Sequence, residues 1–243
     1  LFVAVGGSGT ILTSSDGTTW TSRTSGIGND MLLGVTYGNS TFVAVGVGQS
    51  GGIIITSSDG ISWTSRTSGT SYTLERVTYG NGTFVAVGYH PIGSSLTVLT
   101  SSDGISWTSR DAGSGFGYGV AYGNSTFVVS GRPSIQAGTS GTIKTSSDNG
   151  TSWTSRTSGT SNPLWGVTYA NNTFVTVGFS GTILTSSDNG TTWTSRTSGT
   201  TNYLWNSTYG NSLFIAVGGS GTILTSSDNG TTWTSRTSGT SVT

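Results

Sequence analysis

The sequence repeats a tryptophan-bearing segment six times, at intervals of 40 to 46 residues. Residues 181–200 and 221–240 are identical, so the last two copies are duplicates over that stretch. A period of this length is typical of folds that place many copies of one small supersecondary unit side by side. We therefore expect an array of six similar units, marked by Trp20, Trp63, Trp107, Trp153, Trp193 and Trp233.

Each unit contains four short segments with the character of β-strands, which in the sixth unit are 204–209, 213–217, 222–226 and 231–237. They are rich in β-branched and aromatic residues and are bounded by Gly, Asn or Asp, which predicts strands separated by turns. None has helical periodicity. The second segment is apolar on both faces and is expected in the middle of its sheet. The fourth alternates, with one buried Trp and an outward Arg, and is expected at the sheet edge.

Four antiparallel strands in each of six repeats predict an all-β fold, a six-bladed β-propeller. A β-solenoid is the alternative, although its repeats are usually shorter. The first segment occurs only five times, so the first blade is expected to lack its innermost strand. The chain also begins inside a strand, so we expect this single domain to belong to a longer protein. The approximate blade boundaries are 1–26, 27–69, 70–113, 114–159, 160–199 and 200–243.

Composition alone leaves disorder open, because Ser, Thr and Gly form more than half of the chain, as in flexible linkers. The 8 Trp, 9 Tyr and 8 Phe residues recur at fixed positions, however, and disordered segments are poor in aromatic residues. The net charge is zero, which argues against nucleic-acid binding. The chain has no Cys, which excludes disulfides and thiolate metal sites. No apolar run approaches the length of a membrane helix, so no direct membrane insertion is expected.

The turn before each repeated Trp carries a recognisable motif. It reads Ser-Ser-Asp-Asn-Gly-Thr-Ser-Trp at 146–153 and Ser-Ser-Asp-Asn-Gly-Thr-Thr-Trp at 186–193 and 226–233. The motif resembles the Asp-box (BNR-type) repeat of sialidase, sortilin-type and photosystem II assembly-factor propellers, although the first three copies are one residue shorter. The Asn-Gly or Asp-Gly pair predicts a type I′ hairpin turn, with the Asp accepting backbone N–H groups and the Trp packing between neighbouring blades.

These residues are assigned a structural role rather than a chemical one. Each Asp is a lone carboxylate, whereas Ca²⁺ takes six to eight oxygen ligands, so neither a metal nor a cofactor is expected. The structural set is Asp16, Trp20, Asp59, Trp63, Asp103, Trp107, Asp148, Trp153, Asp188, Trp193, Asp228 and Trp233.

The resemblance to sialidases would imply a catalytic site with an arginine cluster, a Tyr–Glu pair and an acidic Asp. The chain has one Glu, Glu75, and one His, His90. Six of its eight Arg residues lie in the repeated Thr-Ser-Arg of the outer strand, which leaves too few for the cluster. We therefore expect no catalytic residues, and the protein is predicted not to be an enzyme.

Variation between the repeats is concentrated in the loops that join the second strand to the third and the fourth strand to the next blade. In an up-and-down blade these loops share one face of the disc, and binding residues gather on loops held by a rigid scaffold. The alternative is that these aromatic residues only plug the channel mouth or, for the two Trp, pack between blades. The candidate ligand-binding residues are Tyr72, Glu75, Arg76, Tyr89, His90, Arg132, Gln136, Trp165, Tyr203 and Trp205.

The resulting functional hypothesis is a non-catalytic, extracellular binding module. Aromatic faces cover sugar C–H groups while amides and Arg satisfy hydroxyls, so the expected partner is a glycan, with another surface protein as an option. The expected location is secreted, at the cell surface or at a virion surface. Two alternatives remain open: a structural or adhesive domain of a larger surface or filament protein, and a protein–protein assembly scaffold.

Overall fold

The computed structural model describes residues 1–90, 95–133 and 140–241. Its strands form six separate antiparallel sheets that follow one another along the chain. Blade 1 has three strands, β1 (Phe2–Val5), β2 (Ile11–Ser14) and β3 (Thr21–Arg23). Blade 2 has four, β4 (Met31–Gly38), β5 (Thr41–Gly48), β6 (Gly51–Ser57) and β7 (Thr64–Arg66). Blade 3 also has four, β8 (Thr73–Gly80), β9 (Thr83–Tyr89), β10 (Ser95–Ser101) and β11 (Thr108–Ser114).

The remaining three blades repeat the four-stranded pattern. Blade 4 contains β12 (Phe116–Gly123), β13 (Thr126–Arg132), β14 (Thr142–Ser146) and β15 (Thr154–Thr157). Blade 5 contains β16 (Leu164–Ala170), β17 (Thr173–Gly178), a 3₁₀ turn (Phe179–Gly181), β18 (Ile183–Ser186) and β19 (Thr194–Arg196). Blade 6 contains β20 (Leu204–Gly210), β21 (Leu213–Gly218), β22 (Ile223–Ser226) and β23 (Thr234–Arg236). The predicted six-bladed, all-β propeller is confirmed, including the missing inner strand of blade 1.

We name the four strands of a blade A to D from the channel outward, so that blade 1 has only B, C and D. Strand B pairs on both edges in blades 2–6 and is apolar on both faces, as predicted. In β17, for example, Phe174, Val175 and Val177 are fully buried. Strand D is the edge strand, and its repeated Arg donates Nε to a Thr hydroxyl of strand C, as in Arg196 to Thr185 (2.8 Å).

Two local expectations are corrected by the structure. Strand D is usually only three or four residues long, and the repeated Trp lies before it. This Trp is half-buried rather than buried, and Trp20 is 41% exposed.

Two-residue turns with positive φ at both positions join strands A and B directly, as at Asn39 (46°) and Ser40 (56°). In blades 4 to 6 the motif also forms the predicted turn, since Asn189 (60°) and Gly190 (77°) both have positive φ and the Thr191 N–H donates to the Asp188 carbonyl (3.3 Å). This turn lies within a longer connection between strands C and D and does not join the two strands directly.

The apolar core lies between blades. Each blade has a trailing face, which contacts the next blade along the chain, and a leading face, which contacts the preceding one. At the junction of blades 2 and 3, trailing Val43 and Val45 pack against leading Leu74, Phe84 and Trp107. Equivalent clusters join blades 1 and 2, 3 and 4, 4 and 5, and 5 and 6. The repeated Trp is thus an inter-blade residue in blades 2–6, as predicted.

Candidate functional site

The two faces of the disc differ in chemistry. We call the face with the A–B and C–D connections the uniform face, because these connections are nearly identical in every blade. Its repeated turn satisfies its own polar groups. In blade 5, Ser186 donates its hydroxyl to Asp188 (2.8 Å), and Thr192 donates both its backbone N–H (2.9 Å) and its hydroxyl (2.6 Å) to the same carboxylate. The indole of Trp193 donates to the Gly190 carbonyl (2.9 Å).

These bonds stabilise the ionised form of the turn aspartates. For Asp59, backbone N–H groups of Ser62 and Ile61 and the Ser57 hydroxyl lower the pKa to about 2. For Asp148, desolvation opposes the shift, but hydrogen bonds from Ser152 and Ser146 still lower the pKa to about 2. A carboxylate held in this way is a structural acceptor and has no proton to donate near neutral pH. The structural role predicted for these aspartates therefore agrees with their geometry.

The opposite face, which we call the variable face, is built from two positions in each blade. The first lies near the start of strand A, where the pairing with strand B shifts register and one residue is left unpaired. A β-bulge of this kind re-aims a side chain, and bulges are frequent beside functional sites. The bulge residues of blades 2 to 6 are Leu33, Glu75, Tyr118, Trp165 and Trp205.

The second position follows the Gly at the end of strand B. Its occupants in blades 1 to 6 are Gly7, Val47, Tyr89, Arg132, Phe179 and Gly219. Both positions vary between blades, although blades 5 and 6 share Trp at the first position and blades 1 and 6 share Gly at the second. The variation is therefore placed at the ends of rigid strands, where side chains from different blades can meet.

Side chains from these positions, together with Phe116 and Tyr203 two residues before the bulges of blades 4 and 6, form a continuous strip, which we call the aromatic row. It begins at Tyr89 and ends at Trp205. Neighbouring rings have centroids 4.1 to 5.8 Å apart, and the closest pairs are Phe179–Tyr203 (4.1 Å) and Tyr118–Trp165 (4.4 Å), both stacked. The row spans blades 3 to 6 and consists of Tyr89, Phe116, Tyr118, Trp165, Phe179, Tyr203 and Trp205.

Exposure rises along the row. Phe116 is 1% exposed, whereas Tyr203 is 43% and Trp205 is 44% exposed. Trp165 is half-buried between Tyr118 and Phe179. Tyr203 and Trp205 are adjacent, with ring centroids 5.7 Å apart, and contiguous exposed apolar patches mark interaction sites more often than single exposed side chains do. The blade-6 end of the row is therefore the part that a partner can contact without any rearrangement.

Charged groups occupy the blade-3 end. The guanidinium of Arg132 lies over the Phe116 ring, 4.5 Å from its centroid, and 6.0 Å from that of Tyr118. Arg76 donates Nη1 to the carbonyls of Leu33 (2.6 Å) and Glu75 (2.8 Å). The row thus runs from two cations and one carboxyl group to a patch of uncharged rings.

Burial shifts the pKa of three groups at this end. Desolvation raises the pKa of Glu75, although Arg76 and a hydrogen bond from Tyr89 act in the opposite direction. Desolvation also raises the pKa of Tyr89, and the nearby Glu75 adds to the effect. The pKa of Tyr118 rises to about 12, again chiefly through desolvation. Glu75 is therefore the one carboxyl group of this end whose charge is disfavoured by its surroundings.

Two buried donors of the variable face have no hydrogen-bond partner among the described residues. They are the indole Nε1 of Trp165 and the Nε of Arg132. Buried polar atoms are normally satisfied, and an unsatisfied one requires an explanation. Both atoms belong to residues of the variable face, and an acceptor supplied by a ligand after a small movement of the rings would satisfy them.

The structure brings seven of the ten predicted ligand-binding residues into this one surface. They are Glu75, Arg76, Tyr89, Arg132, Trp165, Tyr203 and Trp205. Tyr72 and His90 form a separate pair with an edge-to-face contact of 4.3 Å. Gln136 lies outside the described residues. The sequence analysis missed Phe116, Tyr118 and Phe179, which join the other rings into a row.

The described ranges contain no group of three His, Cys, Asp or Glu side chains placed to hold a metal ion. They also contain no helix of the length and hydrophobicity that a membrane span requires. One cleft lies against the outer strand of blade 5 and the loops that precede and follow this blade, and it is lined by residues such as Thr160, Arg196 and Thr200, without an aromatic side chain.

Comparison with known proteins shows the fold. A solved structure described as YCF48 bound to D1 peptide superposes with a TM-score of 0.70 at 20% identity, over 96% of this chain and 76% of that one. YCF48 from Cyanidioschyzon merolae superposes with a TM-score of 0.68 at 16% identity, over 96% of this chain and 80% of that one. Virginiamycin B lyase from Staphylococcus aureus superposes with a TM-score of 0.68 at 12% identity, over 85% of this chain and 69% of that one. No protein-family model matches the sequence, and the search of curated proteins finds no match.

Proposed function

We propose that this chain is a non-catalytic protein-binding module that holds an extended segment of a partner protein along the aromatic row. The observation that carries the proposal is the convergence of side chains at or near the variable positions of blades 3 to 6 into one surface. The rest of the repeat is nearly constant and satisfies its own polar groups. Sequence variation that is confined to one continuous surface of a rigid scaffold is what a binding site requires.

The shape and chemistry of the row favour a peptide. The row is a strip that crosses four blades, with flat rings at one end and a guanidinium at the other. Aromatic side chains and Arg are the residues most often found at the centres of protein interfaces. The unsatisfied donors of Trp165 and Arg132 match the carbonyl acceptors that an extended backbone presents.

The comparisons support a protein partner over the glycan that the sequence suggested. One of the similar structures is a propeller described as bound to a peptide, and at 20% identity this likeness establishes only the shared fold. The assembly-scaffold alternative is therefore preferred to the lectin hypothesis. An extracellular location and the Asp-box relationship remain predictions from the sequence.

A non-catalytic role is supported by the character of the site. Its carboxyl group, Glu75, is engaged by the Tyr89 hydroxyl and lies beside Arg76. The single His of the chain packs against Tyr72, apart from the row. Glu75 and Tyr89 do lie together, but general acid–base chemistry on a substrate needs an acid and a base in reach of the same group, and the described residues of the row add no Asp or His to this pair.

The test is selection from a phage-displayed library of random twelve-residue peptides on the immobilised protein. We expect selected peptides to bind the wild type, to lose most of their affinity for Trp205→Ala and Tyr203→Ala, and to retain it for Tyr37→Ala. Tyr37 is a matched control, because it is 56% exposed but lies near the uniform face. Failure to select any peptide, or selected peptides that bind Trp205→Ala normally, would contradict the proposal.

A further inference from the structure

A second cleft lies at the outer rim of blade 3, on the side of the variable face. The loop that precedes the blade lines it together with strands C and D, and Tyr72, Thr97, Arg110 and Asp111 are among the lining residues. Its volume is about 500 Å³, which lies within the usual range for small-molecule sites. The cleft includes Tyr72, one of the predicted ligand-binding residues that the aromatic row leaves out.

Blades 5 and 6 show how the repeat treats this place without substitutions. Asn162 donates its side-chain amide to the Thr182 hydroxyl (2.8 Å), and that hydroxyl donates to the Phe179 carbonyl (2.6 Å). Blade 6 repeats both bonds, at 2.9 and 2.7 Å. The Thr hydroxyl at the start of strand C is therefore used both as an acceptor and as a donor.

Blade 3 carries a different residue at the Asn position. Tyr72 occupies it, since its backbone N–H donates to the Thr70 hydroxyl at 3.1 Å, as the N–H of Asn162 donates to the Thr160 hydroxyl at 3.1 Å. The loop keeps its local backbone bond while an aromatic ring replaces the amide. The Tyr72 ring is half-buried and packs edge-to-face against His90, with centroids 4.3 Å apart.

This replacement removes the amide donor from a buried hydroxyl. Thr97 of blade 3 corresponds to Thr182, because residues 97–101 (Thr-Val-Leu-Thr-Ser) align with residues 182–186 (Thr-Ile-Leu-Thr-Ser). Thr97 is 7% exposed, and its Oγ1 has no hydrogen-bond partner among the described residues. A buried polar atom normally has a partner. Because Thr97 lines the cleft, a ligand bound there can supply one.

Strand D supplies a further departure from the repeat. The other five blades read Thr-Ser-Arg-Thr at this place, whereas blade 3 reads Thr-Ser-Arg-Asp at 108–111. Asp111 is exposed, and its Oδ1 accepts the Gly113 N–H (2.8 Å), which orients the carboxylate at the cleft. The neighbouring Arg110 donates Nε to the Thr100 hydroxyl (2.9 Å), which fixes the guanidinium as well.

These groups together select a class of ligand. The carboxylate and the guanidinium that line the cleft carry opposite charges, which favours an uncharged ligand over an ion. A carboxylate accepts hydrogen bonds, a guanidinium donates them and a Thr hydroxyl does both, so the three match the hydroxyl groups of a sugar. An aromatic ring beside them can cover the C–H face of the same sugar.

We propose that the blade-3 cleft binds one uncharged saccharide unit. Tyr72 covers a C–H face of the sugar, and Asp111 and Arg110 bond to its hydroxyl groups. Thr97 Oγ1 bonds to one further hydroxyl, which gives it the partner that the repeat supplies elsewhere. The site shares no residue with the aromatic row, so it does not depend on the peptide-binding function proposed above. The blade-5 cleft is the matched reference, because it has neither the aromatic ring nor the carboxylate.

The probes are the methyl glycosides of glucose, galactose, mannose, fucose and N-acetylglucosamine. Each is titrated into the ¹⁵N-labelled 243-residue chain and followed by amide chemical shifts. We expect at least one glycoside to shift the amides of 70–73 and 109–113 in a saturable manner. The amides of the blade-5 cleft, 160–162 and 195–199, should not shift. Methyl glucuronide, which carries a carboxylate, should not bind more tightly than the best of the five.

Two substitutions restore the repeat in blade 3 and should weaken binding without harming the fold. Tyr72→Asn introduces the residue of blades 5 and 6 and returns an amide donor to Thr97. Its Tm should be unchanged or higher, while the Kd of the strongest-binding glycoside should rise at least about tenfold. Asp111→Thr should raise the same Kd at least about fivefold. Tyr203→Ala, on the aromatic row, should leave it unchanged.

Several results would overturn the proposal. One is the absence of shifts at the blade-3 cleft with all five glycosides, and another is unchanged affinity in Tyr72→Asn. Equal shifts at the blade-5 cleft would show that the common repeat binds sugar without the substitutions of blade 3. Loss of binding in Tyr203→Ala would assign the sugar to the aromatic row, and tighter binding of methyl glucuronide would contradict the uncharged class.

Discussion

The uniform and variable faces of the disc are built on the same strands but put their polar groups to different uses. On the uniform face, each turn repeats one set of hydrogen bonds, such as those around Asp188. On the variable face, exposed rings lie beside buried donors that have no hydrogen-bond partner among the described residues, as at Trp165. The difference indicates that one face stabilises the propeller while the other is left with capacity to bind. The predictions below test whether stability and binding separate in this way.

The largest effect is expected beneath the uniform face. Phe174 is fully buried and contacts Tyr169 at 4.5 Å, so Phe174→Ala should lower the free energy of unfolding by about 3–5 kcal/mol. The matched control is Phe2→Ala at the same position of blade 1. Because the Phe2 side chain is exposed, its truncation should lower the free energy of unfolding by less than about 1 kcal/mol. Urea denaturation measures both losses of stability, and equal losses would show that burial of this ring does not determine its contribution to stability.

On the variable face, Trp205→Ala should act on affinity instead of stability. Truncating an exposed aromatic anchor typically costs about 2 kcal/mol of binding free energy, or about 30-fold in Kd. The free energy of unfolding should change by less than about 1 kcal/mol. Calorimetric titration of a library-selected peptide, together with urea denaturation of the same variant, measures the two quantities. A variant that loses stability and keeps affinity would assign Trp205 to blade packing.

A smaller loss of stability is expected for Asp188→Asn. The substitution removes the charge that accepts bonds from Ser186 and Thr192, at a cost of about 1 kcal/mol near neutral pH. Because the pKa of Asp188 is lowered in the folded protein, its stabilisation is complete above the unfolded pKa of about 4 and is lost as the pH falls further. The difference between wild type and variant should therefore shrink below about pH 4.

Denaturation curves at several pH values check this prediction. Asp30→Asn is the control, because it removes one carboxylate that lies outside the repeated turns. If the difference in stability between wild type and Asp188→Asn stayed constant from neutral to acidic pH, the charge of the Asp188 carboxylate would not contribute to stability.

The smallest effect concerns Glu75. Its pKa is raised in the folded state, so the folded protein binds more protons than the unfolded one just above the unfolded pKa of about 4.3. Stability must then fall as the pH rises through this window. Glu75→Gln lacks the titrating group and should gain stability relative to wild type as the pH rises toward neutral, by less than about 1 kcal/mol. If Glu75→Gln were instead less stable than wild type at neutral pH, the ionised carboxylate of Glu75 would be stabilised by Arg76.

The propeller could be predicted from the sequence because the same structural signals recur in every blade. The Trp spacing, the repeated Ser-Ser-Asp turn and the doubly apolar B strand each appear six times, so errors at one repeat are corrected by the others. The length of strand D was misjudged because hydrogen bonds of the Ser and Asp side chains compete there with strand pairing. Such competition is local and is not visible as periodicity.

The candidate site was only partly predictable. Glu75, Trp165 and Trp205 stand out in the sequence as departures from the repeat, but nothing in the sequence shows that they share a bulge. Tyr118 and Phe179 fell in segments that the analysis had recognised as variable, yet their contacts cross blades and depend on the register shift. Aligning the repeats on the Leu of strand A and on the Gly of strand B would have identified both variable positions.

The central claim is that partners bind the variable face and not the uniform one. Hydrogen exchange of the protein with and without a bound library-selected peptide tests it most directly, because it maps the contact without any substitution. We predict slower exchange at the A-strand starts of blades 4 to 6, around 116–119, 164–166 and 203–206, and unchanged exchange at the A–B turns, such as 38–41 and 170–173. Protection centred on those turns, with none at the aromatic row, would contradict the account.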